Sequence, residues 1–208
     1  MQNDQLRPAI AILTSPNQWF ENHALKLSDQ LGNVQVYTDH TDIDRAYDML
    51  FILSYHRLIG SSILKRNRHN FVLHESDLPK GKGWAPLFWQ ILDGQKEIPF
   101  TIFEASDGVD SGDIYQQRVL KLTGYELNQE IRLKQAELTI AMCLNLVREF
   151  KLMPAPKRQN GDESFYKKRT PDDSRLDPMK TILEQFNLLR IVSNDEYPAF
   201  FDLDGHRY

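Results

Sequence analysis

The chain has 208 residues, a formal net charge of −4, 41% hydrophobic and 26% charged residues. This is the composition of a globular protein with room for one α/β domain and a small appendage, and its acidic balance argues against a surface built to grip nucleic-acid phosphates. The lone cysteine, Cys143, excludes an intramolecular disulfide; no apolar run reaches the roughly 18 residues of a membrane span, and Met1–Gln5 lacks the regions of a signal peptide, so the expected location is the cytoplasm.

Ala9 to Leu13 is a short apolar run stopped by Thr14-Ser15-Pro16-Asn17, and reads as a buried first strand and its loop. Apolar residues at 20, 24, 27 and 31 set a helix from Trp19 to Leu31, closed by Gly32. Val34 to Tyr37 is a second strand. Met49 to Leu53, apolar without interruption, reads as a central parallel strand covered on both faces. Phe71 to His74 is a fourth. Strands separated by helical segments predict an α/β fold with an open, mostly parallel sheet. Ligands of such sheets lie outside the carboxyl ends of the strands, so the loops after residues 13, 53 and 74 should meet at one crevice.

Pro86 to Leu92 makes a short helix ended by Gly94. Phe100–Glu104 and Asp113–Gln117 flank the Asp107–Gly112 turn as a hairpin-like pair. Glu130 to Phe150 is the longest helical pattern, with Cys143 as buried filling. Residues 154–178 are polar and rich in Pro, Asp and Lys, and read as a surface connector. A helix from Met179 to Val192 then precedes the aromatic end Tyr197-Pro198-Ala199-Phe200-Phe201. The predicted organisation is a domain over 1–153, the connector 154–178 and a C-terminal helical and aromatic appendage over 179–208, with no internal repeat.

The residues able to carry chemistry cluster around His74-Glu75-Ser76-Asp77-Leu78-Pro79-Lys80-Gly81-Lys82-Gly83-Trp84-Ala85-Pro86. An imidazole at a strand's carboxyl end exchanges protons near neutral pH. Gly81 and Gly83 permit close approach of backbone to a ligand, and Pro79 and Pro86 stiffen the path. Asp110, between Gly108 and Gly112, is a candidate carboxylate partner that would orient the ring; Asp107 and Asp113 compete for that role, and spacing does not choose among them. His56, after the third strand, would neighbour His74 if those strands pair in parallel. Asn17, Trp19, Lys82 and Trp84 are candidate substrate contacts, although an aromatic helix start accounts equally well for Trp19. His56, His69 and His74 lack a compact ligand spacing with carboxylates, so no metal is expected.

The ordered positions His74-x-Ser76-x-Leu78-Pro79, Gly81, Gly83, Ala85-Pro86, Trp89-x-Ile91-x-x-Gly94 and Val109-Asp110-Ser111-Gly112-Asp113-Ile114 resemble the formyltransferase domain that uses 10-formyltetrahydrofolate. The likeness runs over residues 9–150. Gln185 to Arg190, followed by Tyr197-Pro198-Ala199-Phe200, is similar to the segment closing the sugar-acting members, and the compact form resembles short bacterial enzymes of nonulosonic-acid and O-antigen pathways. The resemblance implies a Rossmann-like sheet, 10-formyltetrahydrofolate as cosubstrate, His74 as proton shuttle and Asp110 as its partner. It also implies pterin contacts from Leu58, Ile59, Gly60, Asp107, Gly108, Val109 and Asp110.

The family's Asn-x-His pair is broken here, because Val72 stands two residues before His74. His56 is the preferred replacement donor and Asn70 the second, on the same strand face by alternation but about 7 Å further back. The expected activity is N-formyl transfer to the amine of an amino sugar or sugar nucleotide for surface glycans. Alternatives are methionyl-tRNA or glycinamide ribonucleotide formyl transfer, and a non-catalytic folate- or sugar-binding protein. The short stretch after the long helix and the acidic chain speak against tRNA, and Lys167, Lys168 and Arg169, the one basic cluster, read as solvated. Neither nucleic acid nor membrane is an expected partner. The aromatic tail from Tyr197 to Phe201 is expected to form a homodimer interface or to pack down on residues 130–150.

Overall fold

The computed structural model describes residues 7–208, so the first residues of the chain, on which the expected location partly rests, lie outside the described residues. Its elements in order are β1 (Ile10–Leu13), α1 (Glu21–Gln30), β2 (Gln35–Tyr37), β3 (Met49–Ile52), α2 (Ser61–Leu64), β4 (Asn70–His74), β5 (Lys82–Gly83), α3 (Pro86–Leu92), β6 (Glu97–Glu104), β7 (Ile114–Lys121), α4 (Asn128–Arg148), β8 (Phe165–Tyr166), α5 (Phe186–Ile191), β9 (Asp202–Leu203) and β10 (His206–Arg207). Six strands form one sheet in the order β2-β1-β3-β4-β6-β7. β1 to β4 pair in parallel, whereas β6 and β7 join as an antiparallel edge. The α/β fold with a mostly parallel sheet is therefore present.

Alternation along the strands separates two apolar layers. Met49, Phe51, Leu53, Phe71 and Leu73 point into the larger one, together with α1, α3, α4 and Ile191 of α5. Ala11, Leu13, Leu50, Ile52 and Val72 face the smaller one, covered by Tyr47, Ile59, Ile63, Leu64 and Ala105. Because side chains alternate along a strand, Asn70 and His74 share the face of Val72, under the thinner cover. Phe51, Phe71 and Phe100 are fully buried, and each contributes about 1.5–3 kcal/mol through the area it removes from water. Helix α4 buries Ile131, Gln135, Ala136, Thr139, Met142, Cys143 and Leu146, the 3.6-residue stripe of a helix laid on a sheet. It begins before Glu130 because the Glu130 carboxylate reaches back to accept the Leu127 N–H at 2.9 Å.

The C-terminal third departs from the expected pattern. Only Phe186–Ile191 of the predicted 179–192 helix forms. Met179, Ile182 and Leu183 are exposed by 90%, 73% and 85%; with no surface to bury them, helix nucleation there has nothing to offset its entropy. The segment read as a connector is anchored: β8 pairs with β5, and Lys157 bridges Ile114 through two backbone hydrogen bonds. In the basic cluster Lys167 and Lys168 are exposed, as read, and Arg169 is not. Arg169 is buried beside Ser174 and Tyr197, Lys167 bonds Asp173, and Lys168 lies over the Trp84 ring. Part of the aromatic tail is held by the segment before it. Phe200 is buried through a bridge to Arg175, so it closes onto residues 174–176.

Candidate active site

His74 ends β4 and is 7% exposed. Its Nε2 lies 2.8 Å from the Gly81 carbonyl oxygen. A carbonyl only accepts, so Nε2 carries a hydrogen and, in the neutral ring, Nδ1 holds the lone pair. Asp110 Oδ2 stands 3.7 Å from the same Nε2 and accepts the Gly83 N–H at 2.8 Å. The structure thus brings His74 and Asp110 together and chooses among the three aspartates: Asp107 is exposed, and Asp113 closes its turn by accepting the Glu104 N–H at 2.9 Å.

The route to this pair is indirect. β6 runs antiparallel to β4, so Glu104 lies beside Phe71 and not beside His74. Residues 105–112 form a compact loop with joined ends, and it travels back along the thinly covered face by the length of the strand, about 13 Å. Asp110 takes φ = 47° at its tip, a left-handed conformation that aspartate tolerates better than most residues. Gly112 is required by space: a Cβ there would lie 1.6 Å from the Glu104 carbonyl oxygen.

Gly81 and Gly83 make room for the chain itself. A Cβ on Gly81 would come within 2.8 Å of the Tyr166 ring, and one on Gly83 within 2.6 Å of the Tyr166 carbonyl oxygen. The close approach read as space for a ligand is thus filled by β8. Gly81 N donates to Ser164 Oγ at 2.8 Å, and Gln159 Nε2 donates to the carbonyls of Asp110 and Gly112 at 2.7 and 2.8 Å. Sequence reasoning missed Gln159, Ser164 and Tyr166. Their polar surroundings carry no periodic signal, and their partners lie about fifty to eighty positions away, so only the fold discloses them.

His56 follows β3 and is exposed; Ser15 follows β1. Ser15 Oγ accepts the His56 backbone N–H at 3.2 Å and lies 2.6 Å from Nδ1. Donating its own hydrogen to Nδ1 leaves Nε2 of His56 as a hydrogen-bond donor. The loops after β1 and β3 therefore meet, as expected. The partner of His56 is Ser15, however, because β3 and β4 pair with Ile52 beside Val72, which puts His56 beyond the level of His74.

Asn70 is not brought to His74. It sits at the start of β4, with its amide donating to Leu64 O at 2.9 Å and its oxygen accepting from Asn67 at 2.8 Å. Val72 is half-buried between the two on their shared face. Ile59 and Ala105 pack in the same layer as Val72, so the 58–60 segment and the Asp110 loop flank one face. Leu58 and Val109 are exposed beside it, and Gly60 caps α2.

Among the expected substrate contacts, Asn17 lies in the loop before α1 and donates its N–H to the Glu21 carboxylate at 2.7 Å. Trp19 packs with the larger core layer, edge-on to Phe20 and under the Arg132 guanidinium at 4.3 Å, away from the His74 face. Burial lowers that guanidinium to about 10. Lys82 is buried with its ammonium 2.6 Å from Glu163, so its charge is engaged within the chain; Trp84 stays 43% exposed. No group of three or more His, Cys, Asp or Glu able to hold a metal occurs among the described residues. No helix among them is long and apolar enough to cross a membrane. A concavity of about 600 Å³ lined by Arg7, Asp48, Arg68 and Phe150 opens at the amino ends of the strands and contains none of these residues.

A family model described as formyl transferase matches residues 40–142, a span that holds β3, β4, the 74–86 loop and Asp110. A methionyl-tRNA formyltransferase of Mycoplasma capricolum subsp. capricolum is 26% identical over 180 residues, covering 84% of this chain and 55% of the relative, so the chain spans about half the length of that protein. A methionyl-tRNA formyltransferase from Clostridium thermocellum superposes with a TM-score of 0.79 at 21% identity, over 95% of this chain and 89% of that one. A 4-N formyltransferase from Francisella tularensis does so with 0.70 at 16% identity, over 95% and 94%. The structural likenesses establish the fold, and within it residues 40–142 match the formyl transferase family model.

Proposed function

We propose that this chain transfers the formyl group of 10-formyltetrahydrofolate to the amine of an amino sugar or sugar nucleotide. The observation that carries the reading is the His74–Asp110 pair, 3.7 Å apart inside the matched domain. In this mechanism the amine attacks the formyl carbon and forms a tetrahedral oxyanion. His74 takes the amine proton on Nδ1, and Asp110 beside Nε2 stabilises the imidazolium that results. The C–N bond to the folate then breaks, with a proton returned to the departing nitrogen. His56 Nε2–H is the donor we assign to the oxyanion, since the Asn70 amide is committed elsewhere. The pterin would lie along the 58–60 segment and the 107–110 turn.

The sugar reading draws on charge. The chain is acidic by four units, and the cations of the Lys167–Arg169 cluster are engaged with Asp173, Trp84 and Ser174, which favours a small acceptor over tRNA phosphates. A second reading, formyl transfer to methionyl-tRNA, is favoured by the activity of the 26% identical relative. The test incubates the chain with 10-formyltetrahydrofolate and separate amino sugars, sugar nucleotides and methionyl-tRNA, following tetrahydrofolate release. Transfer to a sugar amine is expected. Transfer to methionyl-tRNA alone would overturn the acceptor, and no release with any amine would overturn formyl transfer.

A further inference from the structure

We propose that Gln159 is a positioning residue for the reaction, acting through Asp110. The proposal rests on the formyl-transfer reading for its kinetic consequence, while its structural part stands by itself. Both groups that orient the His74 ring are held by residues 157–166. The Gly81 carbonyl, which accepts the His74 Nε2–H, belongs to a residue whose N–H donates to Ser164 Oγ. Gly83, whose N–H holds the Asp110 carboxylate, is paired with Tyr166 through β5 and β8.

The Asp110 loop itself is clamped by Gln159. One side-chain nitrogen donates to the carbonyl of Asp110, at the left-handed tip, and to that of Gly112, two residues on. The orientation of this amide is dictated by its partners, because a flipped amide would set oxygen against two carbonyl oxygens. The cost is visible in Gln159 Oε1, which is buried without a hydrogen-bond partner among the described residues. An amide that leaves its own acceptor unsatisfied to hold a strained turn is a feature expected near functional groups. The carboxylate of Asp110 then stays beside the imidazole without any bond from its own strand.

The variant is Gln159→Leu, which keeps most of the volume and removes both donors. Lys157→Ala is the control, since Lys157 contacts Ile114 through backbone atoms alone. With 10-formyltetrahydrofolate and the amine acceptor, Gln159→Leu is expected to lower kcat by about 10- to 100-fold while KM for the amine and the melting temperature stay near wild type. Combined with Asp110→Asn it should cost nothing further, because the two changes remove one interaction. Additive losses, or a full wild-type kcat, would overturn the proposal. Amide hydrogen exchange provides a readout independent of turnover: residues 107–112 should exchange about tenfold faster in Gln159→Leu and unchanged in Lys157→Ala. Unchanged exchange in Gln159→Leu would sink the clamp even if no acceptor amine were found, whereas faster exchange with an inactive wild type would leave the clamp standing and remove the formyl-transfer reading.

Discussion

The carboxylate of Asp110 lies 3.7 Å from Nε2 of His74, although the strand that leads to its loop ends beside Phe71. The pair is made by a loop that doubles back along the sheet face, with Gly112 crossing directly under the Glu104 carbonyl. That path places the pair on the face covered by the smaller apolar layer, where Val72 is half-buried.

If His74 moves the amine proton, His74→Ala should lower kcat by about 10²- to 10⁴-fold, the range of general acid–base contributions. Folate affinity, measured by calorimetry on the same preparation, should change little. Equal kcat in variant and wild type would remove His74 from the mechanism.

If His56 Nε2–H holds the oxyanion as proposed, His56→Ala should cost about 10²-fold in kcat, as loss of an oxyanion donor does. Ser15→Ala should cost less, because the His56 ring remains and only its tautomer and aim, set by the 2.6 Å contact, are released. Steady-state kinetics on the three proteins checks the ranking; Ser15→Ala falling below His56→Ala would contradict it.

Space decides the glycines of the Asp110 loop. Gly112→Ala places a methyl 1.6 Å from a backbone oxygen that cannot move alone, whereas Gly108→Ala meets the rotatable Ser111 hydroxyl at 2.1 Å. The first should destabilise by about 2–4 kcal/mol and lower Tm by roughly 5–15 °C; the second should do far less. Thermal melts followed by circular dichroism distinguish them.

Acid stability should depend on Glu126. Burial pushes its carboxyl up, but the Lys134 ammonium at 2.6 Å and the N–H groups of Thr123 and Gly124 more than reverse this, holding it well below the ordinary carboxylate range. A depressed folded value means that this stabilisation is full above the unfolded value, roughly 4.3 for Glu, and fades as pH falls toward the folded one. Glu126→Gln also removes the countercharge 3.2 Å from the buried Arg190, which keeps its bonds to the Glu126 carbonyl and Asn187; the loss should cost up to about 3 kcal/mol at pH 7. Urea unfolding at pH 7 and pH 3 should show the gap between wild type and variant narrowing in acid; an equal gap at both would refute the electrostatic account.

The strands of the six-stranded sheet and the main helices were legible in the chain because apolar runs and the 3.6-residue stripe are local consequences of burial: Met49–Leu53 needed no partner to read as a doubly covered strand. The His74 loop and the Asp110 turn were legible as ordered motifs for the same reason, that proline, glycine and their spacing act on adjacent residues. Which aspartate meets the imidazole followed from the family resemblance to Asp110 and not from spacing, since Asp107, Asp110 and Asp113 are locally equivalent until a left-handed tip sets Asp110 apart. The assignments of Gly81 and Gly83 to β8, of Lys82 to Glu163 and of Gln159 to the Asp110 loop were not legible. Those contacts join positions up to 85 apart across a polar segment. Their energy comes from hydrogen bonds made only after the sheet exists, and hydrogen-bond partners at that separation leave no period in the sequence to read.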